Sequence, residues 1–345
     1  MATANGRKGD QAYVQPRAAW SAVLDGKDLA DKLAPRLISL RLTEKRGESS
    51  DELEIVLHDH DGKLALPKEG ARLTIALGWE RGTGVTVGLV GKGSFVVDEL
   101  SWEGPPDKVT IRARSADLQQ GYRTRKSRVW NGKTIGQIID QVAADNGLTP
   151  RCHADLRSKV VTAIEQSNKS DMAFVRDLGR RYDAVATVKD KCLIFSPVDA
   201  DTTATGKAIP SMDITRGKGD SYSYRRAERD RGNDGAEADW YDQGQAKRKT
   251  ASHGGTRRKK LKRVYASESD AKAASKAESN RLARAAATLQ MNLAYGIADL
   301  APGMRATAKG FKTEIDARKW RVASVDHTMD GDGGFRTQLE MEAAA

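Results

Sequence analysis

Cysteine is nearly absent from this 345-residue chain: only Cys152 and Cys192 occur, far apart and in no metal-ligand spacing. A disulfide framework is therefore not expected, and two reduced thiols are. Long apolar runs are missing as well. Nothing approaches the roughly 18 consecutive residues that a membrane-spanning helix needs, so no stable membrane association is expected. The segment Met1–Asp10, with Gly6, Arg7, Lys8 and Gly9, lacks the apolar stretch of a secretion signal, which leads to the expectation of a protein made in the cytoplasm.

Enzyme signatures are missing too. The sequence has no Gly-x-Ser-x-Gly elbow, no His-Glu-x-x-His and no Gly-rich loop ending in Lys-Ser/Thr that would cradle phosphates. His153, His253 and His327 stand in segments with no recognisable nucleophile or paired base. No catalytic residue, metal ligand or cofactor is assigned, and an enzyme is not expected.

What is present suits a folded chain of two or three domains, with 39% apolar and 30% charged residues. The net charge is +11, and its distribution matters more than its size. Between Gly244 and Arg263 stand nine basic residues and no acidic one: Lys247, Arg248, Lys249, Arg257, Arg258, Lys259, Lys260, Lys262 and Arg263. The remainder is nearly neutral, so general attraction to a polyanion is not the design of the whole chain.

From Trp20 to Ser115 apolar residues recur in short β-rich runs, Leu37–Leu42, Leu53–Leu57, Leu73–Leu77, Phe95–Leu100 and Val109–Ala113. Turn chemistry separates them at Asp25-Gly26, Asp61-Gly62, Gly82–Gly84 and Gly104-Pro105-Pro106, a spacing that suggests an antiparallel barrel. The period then changes. Thr134 and Gln137 have capping-box spacing, Ile135, Ile138, Ile139, Val142 and Ala143 share a helix face, and Asn146-Gly147 supplies the stop. A second helix opens at Ser170 and aligns Phe174, Val175, Leu178 and Tyr182, followed by a hairpin turning at Lys189-Asp190. Beyond Thr202 the pattern predicts a polar stretch, a basic loop, an Ala-rich helix and further strands, the last two flanking the turn Asp330–Gly334. The predicted class is α+β, mainly β, with two barrel-like antiparallel domains bracketing a small α/β domain. The predicted boundaries are an arm over 1–19, a first β domain over 20–127, the α/β domain over 128–201, and a second β domain over 202–345. This last carries the basic loop 244–263 and the helix 268–290.

Two segments invite a metal reading, and each has a plainer one. His58-Asp59-His60-Asp61-Gly62 places alternate histidines on one face of a strand, yet it runs into Asp-Gly and reads as a turn. Asp330-Gly331-Asp332 resembles the start of a calcium loop, but the twelfth position is Met341, where a bidentate glutamate is required. The basic residues of 244–263, with the smaller cluster Arg123, Arg125, Lys126 and Arg128, are candidates for contact with a polyanion or an acidic partner face. The competing reading of each is a solvated segment, because no aromatic residue is interleaved.

Several blocks together resemble the late control D family of phage tail proteins, the tail hub related to the hub part of type VI secretion spikes. They are Ser170–Ala184 with the Val188–Phe195 hairpin, Asp299–Met304, Gly310-Phe311, Trp320–Val322, Val325–His327 and Gly334–Glu340. In the N-terminal half Leu64–Pro67, Gly70, Leu77-Gly78, Phe95–Asp98 and Gly104–Pro106 agree as well. The resemblance implies a homotrimer whose chains each give two barrel-like domains to a pseudo-sixfold ring. That ring would join the hexameric tail tube to a trimeric spike, contact other baseplate proteins and line a channel for DNA, in a virion tail or a phage-like contractile injection system. It implies no catalytic residue. Two other readings stand beside it: a nucleic-acid-binding protein using the basic clusters, and a cell-wall-binding tail protein suggested by the Asn131–Leu148 helix.

Overall fold

The computed structural model describes residues 12–47, 50–68, 70–115, 122, 124–226, 232–330 and 334–345. Arg123 and the turn residues 331–333 lie outside the described residues.

The chain begins as a run of antiparallel strands: β1 (Arg17–Leu24), β2 (Lys27–Asp28), the one-turn helix α1 (Ala30–Leu33), β3 (Leu37–Lys45), β4 (Glu52–His58), β5 (Arg72–Arg81), β6 (Gly88–Glu103) and β7 (Lys108–Arg114). Alternation decides which face is core. In β4, Leu53, Ile55 and Leu57 are buried while Glu52 and Glu54 turn the other way. The β1–β2 hairpin closes through Asp25 and Gly26, both in the left-handed region (φ 48° and 82°), the geometry that an Asp-Gly pair favours. At Gly78 on β5 a Cβ would lie 1.9 Å from the carbonyl oxygen of Gly88, so this crossing with β6 admits only glycine.

The α/β unit follows, with β8 (Arg125–Thr134), α2 (Ile135–Asp145), β9 (Thr149–Cys152), α3 (Ala154–Arg157), β10 (Val160–Ser170), α4 (Asp171–Tyr182), β11 (Ala184–Lys189) and β12 (Cys192–Pro197). The capping box forms as the spacing predicts: Gln137 N donates to Thr134 Oγ1 at 3.2 Å, and Thr134 N donates to Gln137 Oε1 at 2.9 Å. Ser170 caps α4 by accepting from Ala173 N at 3.2 Å. The β11–β12 hairpin turns on Asp190 and Lys191, one residue beyond the expected pair, since these two adopt positive φ. Both helices turn their apolar stripes toward one core that contains Ile138, Val142, Phe174, Leu178 and Phe195.

The rest of the chain supplies β13 (Ser211–Thr215), β14 (Gly219–Arg226), β15 (Gly235–Asp242), β16 (Lys247–Gly254), β17 (Arg258–Tyr265), α5 (Glu268–Ala285), β18 (Ala287–Leu293), β19 (Arg305–Lys309), α6 (Thr313–Asp316), β20 (Lys319–Asp330) and β21 (Gly334–Ala343). Thirteen strands from both ends of the chain merge into one sheet, in the order β14-β18-β21-β20-β3-β4-β7-β6-β5-β1-β2, with β19 beside β20 and β13 beside β19. The joint is β20. Its first residues pair with β19, and Ser324–Asp330 pair with Lys45–Ser39 of β3. The β20–β21 hairpin accordingly feeds two cores. Met329 and Phe335 pack with the N-terminal strands, while Trp320, Val322, Leu339 and Met341 pack with β18 and β19.

Two expectations are corrected here. The basic run over 244–263 is no loop: Lys247–Gly254 and Arg258–Tyr265 are the outer strands β16 and β17 of a three-stranded sheet centred on β15. Its pattern is hard to read because two of its buried positions are alanines and its large ones, Trp240, Leu261 and Tyr265, follow no regular alternation. Ala238 and Ala251 meet Ala271 and Ala274 of α5, and no large aliphatic stripe marks the strands. The Ala-rich helix ends at Ala285 rather than reaching 290, because Ala287, Leu289, Met291 and Leu293 alternate inward as β18.

Phe335 is fully buried beside Trp79 and His327. Phe335→Ala is expected to lower stability by about 3–5 kcal/mol, read as a fall in the urea unfolding midpoint.

Candidate functional site

The seam between the two halves of the large sheet holds a buried polar network. Lys92 on β6 donates to Glu44 Oε2 on β3 at 2.8 Å and to the carbonyl of Leu300 at 3.0 Å. His327 on β20 places Nε2 3.5 Å from the same carboxylate oxygen, and its Nδ1 lies 2.9 Å from Thr337 Oγ1. Burial pushes the Glu44 carboxyl up, but the His327 contact and the Lys92 ammonium outweigh it and hold its pKa down at about 2. Burial pushes His327 below its ordinary value, so it stays a neutral imidazole near pH 7. Beside them Trp79 Nε1 donates to Gly296 O at 2.8 Å, and a Cβ on Gly296 would come within 2.6 Å of the Phe335 ring.

A second network fastens the α/β unit to both halves of the sheet. Arg284 at the end of α5 pairs with Asp183, with Asp199 at 2.8 Å and with Glu342 of β21 at 3.4 Å. Arg46 shares Glu342 at 2.6 Å, and Arg321 reaches Asp199 at 3.1 Å and the carbonyl of Gly303 at 2.8 Å. Lys189 meets the buried Asp51 at 2.7 Å. One-sided loss of such a pair leaves a charge without a partner at an inter-unit contact.

The candidate basic residues divide by what they touch. Lys126 pairs with Asp171 at 2.6 Å, and Arg128 joins Asp171, Asp145 at 2.6 Å and Gln166 Oε1 at 2.8 Å, over the Trp130 ring. Asp171 is fully buried. Burial alone would raise its pKa, but hydrogen bonds from Asn146, Lys126, Gln166 and Arg128 hold it below the ordinary range. Arg125 is exposed on β8. In the three-stranded sheet, Lys249 binds Asp242 at 2.6 Å, Lys259 binds Glu278 at 2.7 Å, Lys260 binds Asp239 at 3.1 Å and Arg257 stands 3.9 Å from Asp234. Arg258 Nε donates to Gly255 O at 2.8 Å. Lys247, Arg248, Lys262 and Arg263 are exposed and have no ion pair among the described residues. The two clusters therefore lie on separate sheets, and only part of each faces solvent uncommitted.

The histidine pair of 58–62 is a turn held by arginine: Asp61 takes a bidentate contact from Arg36, both distances 2.7 Å, and Asp59 lies 3.9 Å away. Among the described residues no group of three or more His, Cys, Asp or Glu is placed to hold a metal. No helix of the described residues is long and apolar enough to cross a membrane.

One surface has no counterpart in the sequence reading. A cleft of about 860 Å³ opens between the β5–β6 arm and the C-terminal half of the large sheet, bordered by Val87, Leu89, Met212 and Tyr295. Val87 is 59% exposed, Leu89 46% and Tyr295 43%, a grouping of apolar surface that monomeric proteins ordinarily cover. Its only sequence signal is the alternation Val85, Val87, Leu89 just after the Gly82–Gly84 turn.

The model of the phage tail baseplate hub family matches residues 51–333. The chain belongs to that family. A probable baseplate hub protein of Escherichia phage 186 is 33% identical over 94% of this chain and 92% of its own length. In fold, the chain is similar to a tail protein of Neisseria meningitidis, with a TM-score of 0.67 at 11% identity, covering 94% of this chain and 96% of that one. A component of the E. coli type VI secretion system aligns with a TM-score of 0.54 at 10% identity, over 90% of this chain and 74% of that one. The family resemblance read from the sequence holds, and the baseplate hub has its place in the virion tail.

The seam network is expected to contribute to the acid response of stability. In the unfolded chain His327 takes a proton near pH 6.5, which the folded site resists, and Glu44 takes one near pH 4.5, which the folded site holds off until about 2. Both folded pKa values lie below their unfolded ones, so both contributions are present above the unfolded pKa and fade as pH falls. The urea midpoint is expected to drop as pH falls from about 7 to 5, and His327→Gln to flatten that slope. An equal slope in the variant would remove His327 from the account.

Proposed function

We propose that this hub protein acts by assembly rather than catalysis. Three copies close a ring in which each chain contributes two β units, giving pseudo-sixfold symmetry. The ring joins the hexameric tail tube to a trimeric spike and lines the central channel. The observation that carries this reading is the single sheet running through both β units by way of β3 and β20. A chain that must offer two equivalent faces to a tube needs those units held at fixed spacing, and a continuous backbone ladder with a buried polar seam supplies that rigidity. The cleft beside Val87, Leu89 and Tyr295 is the surface we assign to the contact with the next copy. A stable contact buries on the order of 1,600 Å² around such apolar and aromatic anchors.

Light scattering of the purified chain, with negative-stain images of the same fractions, is expected to give a trimer with a central hole. A monomer at high concentration that also fails to bind tube and spike partners would overturn the reading. Leu89→Asp is expected to weaken self-association by about tenfold or more at unchanged thermal stability, because the side chain is exposed in the single copy.

The exposed Lys247, Arg248, Lys262 and Arg263 favour a subsidiary reading, transient contact with DNA or with an acidic partner face. Four phosphate contacts predict that log affinity for single-stranded DNA falls with log salt at a slope of about −3. Salt-insensitive binding would remove it. The cell-wall reading finds no support, because the apolar face of α2 is occupied by the core of its own unit.

A further inference from the structure

Helix α5 packs on one face of the β15–β17 sheet, against Ala238, Ala251, Leu261 and Tyr265, and leaves the other face to solvent. Successive residues of a strand turn to opposite faces, so Tyr241, Arg248, Lys260, Lys262 and Val264 point outward. The contacts agree with this division. Lys260 Nζ stands 3.1 Å from Asp239 Oδ2 and Thr250 Oγ1 donates to Asp239 Oδ1 at 2.8 Å, all on the outer side. Lys259, the neighbour of Lys260, reaches Glu278 of α5 on the inner side.

The outer face carries four cations, Arg248, Arg258, Lys260 and Lys262, against two carboxylates, Glu237 and Asp239. Asp239 is buried beneath its partners Lys260 and Thr250, while Arg248 and Lys262 are exposed with no ion pair among the described residues. Apolar surface stands among these charges. Tyr241 is 47% exposed and lies directly across the ladder from Arg248, and Val264, 40% exposed, pairs with Asp239 beside it. The rings of Trp240 and Tyr265 on the inner side each carry a cation, Lys249 and Arg181. The Tyr241 ring carries neither a cation nor another ring among the described residues. No phenylalanine, tyrosine or tryptophan lies between Lys247 and Val264 in the chain, so the aromatic enters the basic surface only through β15.

We propose that this outer face binds a single-stranded nucleic acid, with a base stacked on the Tyr241 ring beside Val264 and the backbone phosphates held by Arg248 and Lys262. An aromatic face accepts any base, and cations around it neutralise the phosphates on either side. A duplex keeps its base faces stacked inside and would meet the cations alone. An acidic peptide would also meet the cations but would bring no flat partner for the ring. The inference deepens the subsidiary reading of the basic strands as a polyanion contact and rests on it.

The test is fluorescence anisotropy of the full chain with a short labelled oligothymidine, titrated over a range of salt. The single strand is expected to bind about tenfold or more tightly than a duplex of equal length. Tyr241→Ala should lose about tenfold in affinity at an unaltered salt slope, because it removes a stacking surface and no charge, while Tyr241→Phe should keep the wild-type affinity. Arg248→Ala should make the slope of log affinity against log salt shallower by about 0.7. Lys27→Ala, which removes the same charge from the β1–β2 hairpin, should bind as the wild type does. All these side chains are exposed, so melting temperatures should stay unchanged. Wild-type affinity in Tyr241→Ala, or equal binding of the duplex, would overturn the stacking site and leave a contact by charge alone. Absence of any oligonucleotide binding would overturn both. Tighter binding of a poly-glutamate peptide of matched charge would overturn the site in favour of an acidic protein face.

Discussion

The pairing of β20 with β3 joins segments nearly three hundred residues apart in the chain and is the constraint on which the remaining architecture depends. Closing so long a loop costs entropy that local contacts do not offset, so the pairing must be stabilised where it forms. It is stabilised on two levels. The ladder joins backbone groups over Ser324–Asp330, and the β20–β21 hairpin places Phe335 in one core and Trp320 in another. Separation at this seam would withdraw Met329 and Phe335 from the core of the N-terminal strands.

Charge inside the molecule reinforces the same junctions. Glu44, Lys92 and His327 lie within the seam, while Arg284, Arg46, Arg321 and Lys189 bind carboxylates across unit boundaries. Apolar packing of similar volume would often stabilise as well, but it would accept many relative orientations. Directed pairs accept few. Such pairs lie at the contacts between the α/β unit and the two halves of the large sheet.

How much of this is legible in the sequence depends on the size of the side chains doing the patterning. The strands of β4 and β5 and the helices α2 and α4 announce themselves because Leu, Ile, Val and Phe recur at the period of the element, and Thr134 with Gln137 marks a start. The β15–β17 sheet is hard to read because Ala238 and Ala251 face α5 in place of large aliphatic residues, while β16 and β17 are rich in lysine and arginine. Such a composition has the signature of a solvated loop although it forms a pair of strands. The internal role of Lys126 and Arg128 was equally hidden, since their partners Asp145 and Asp171 come from other elements of the unit. The cleft at Leu89 and the pairing of Tyr241 with Arg248 exist only in the folded sheets, and no local pattern marks them.

The basic character of β16 and β17 then acquires a structural reason independent of any ligand. They are the two outer strands of their small sheet, and β15 alone is paired on both sides. An outer strand offers unpaired backbone groups to any passing strand, an aggregation hazard for a β-rich protein. Lys247, Arg248, Lys262 and Arg263 place repelling charge along those edges. Charge along an exposed strand edge disfavours strand addition there, so edge-to-edge pairing through this sheet is not an expected contact.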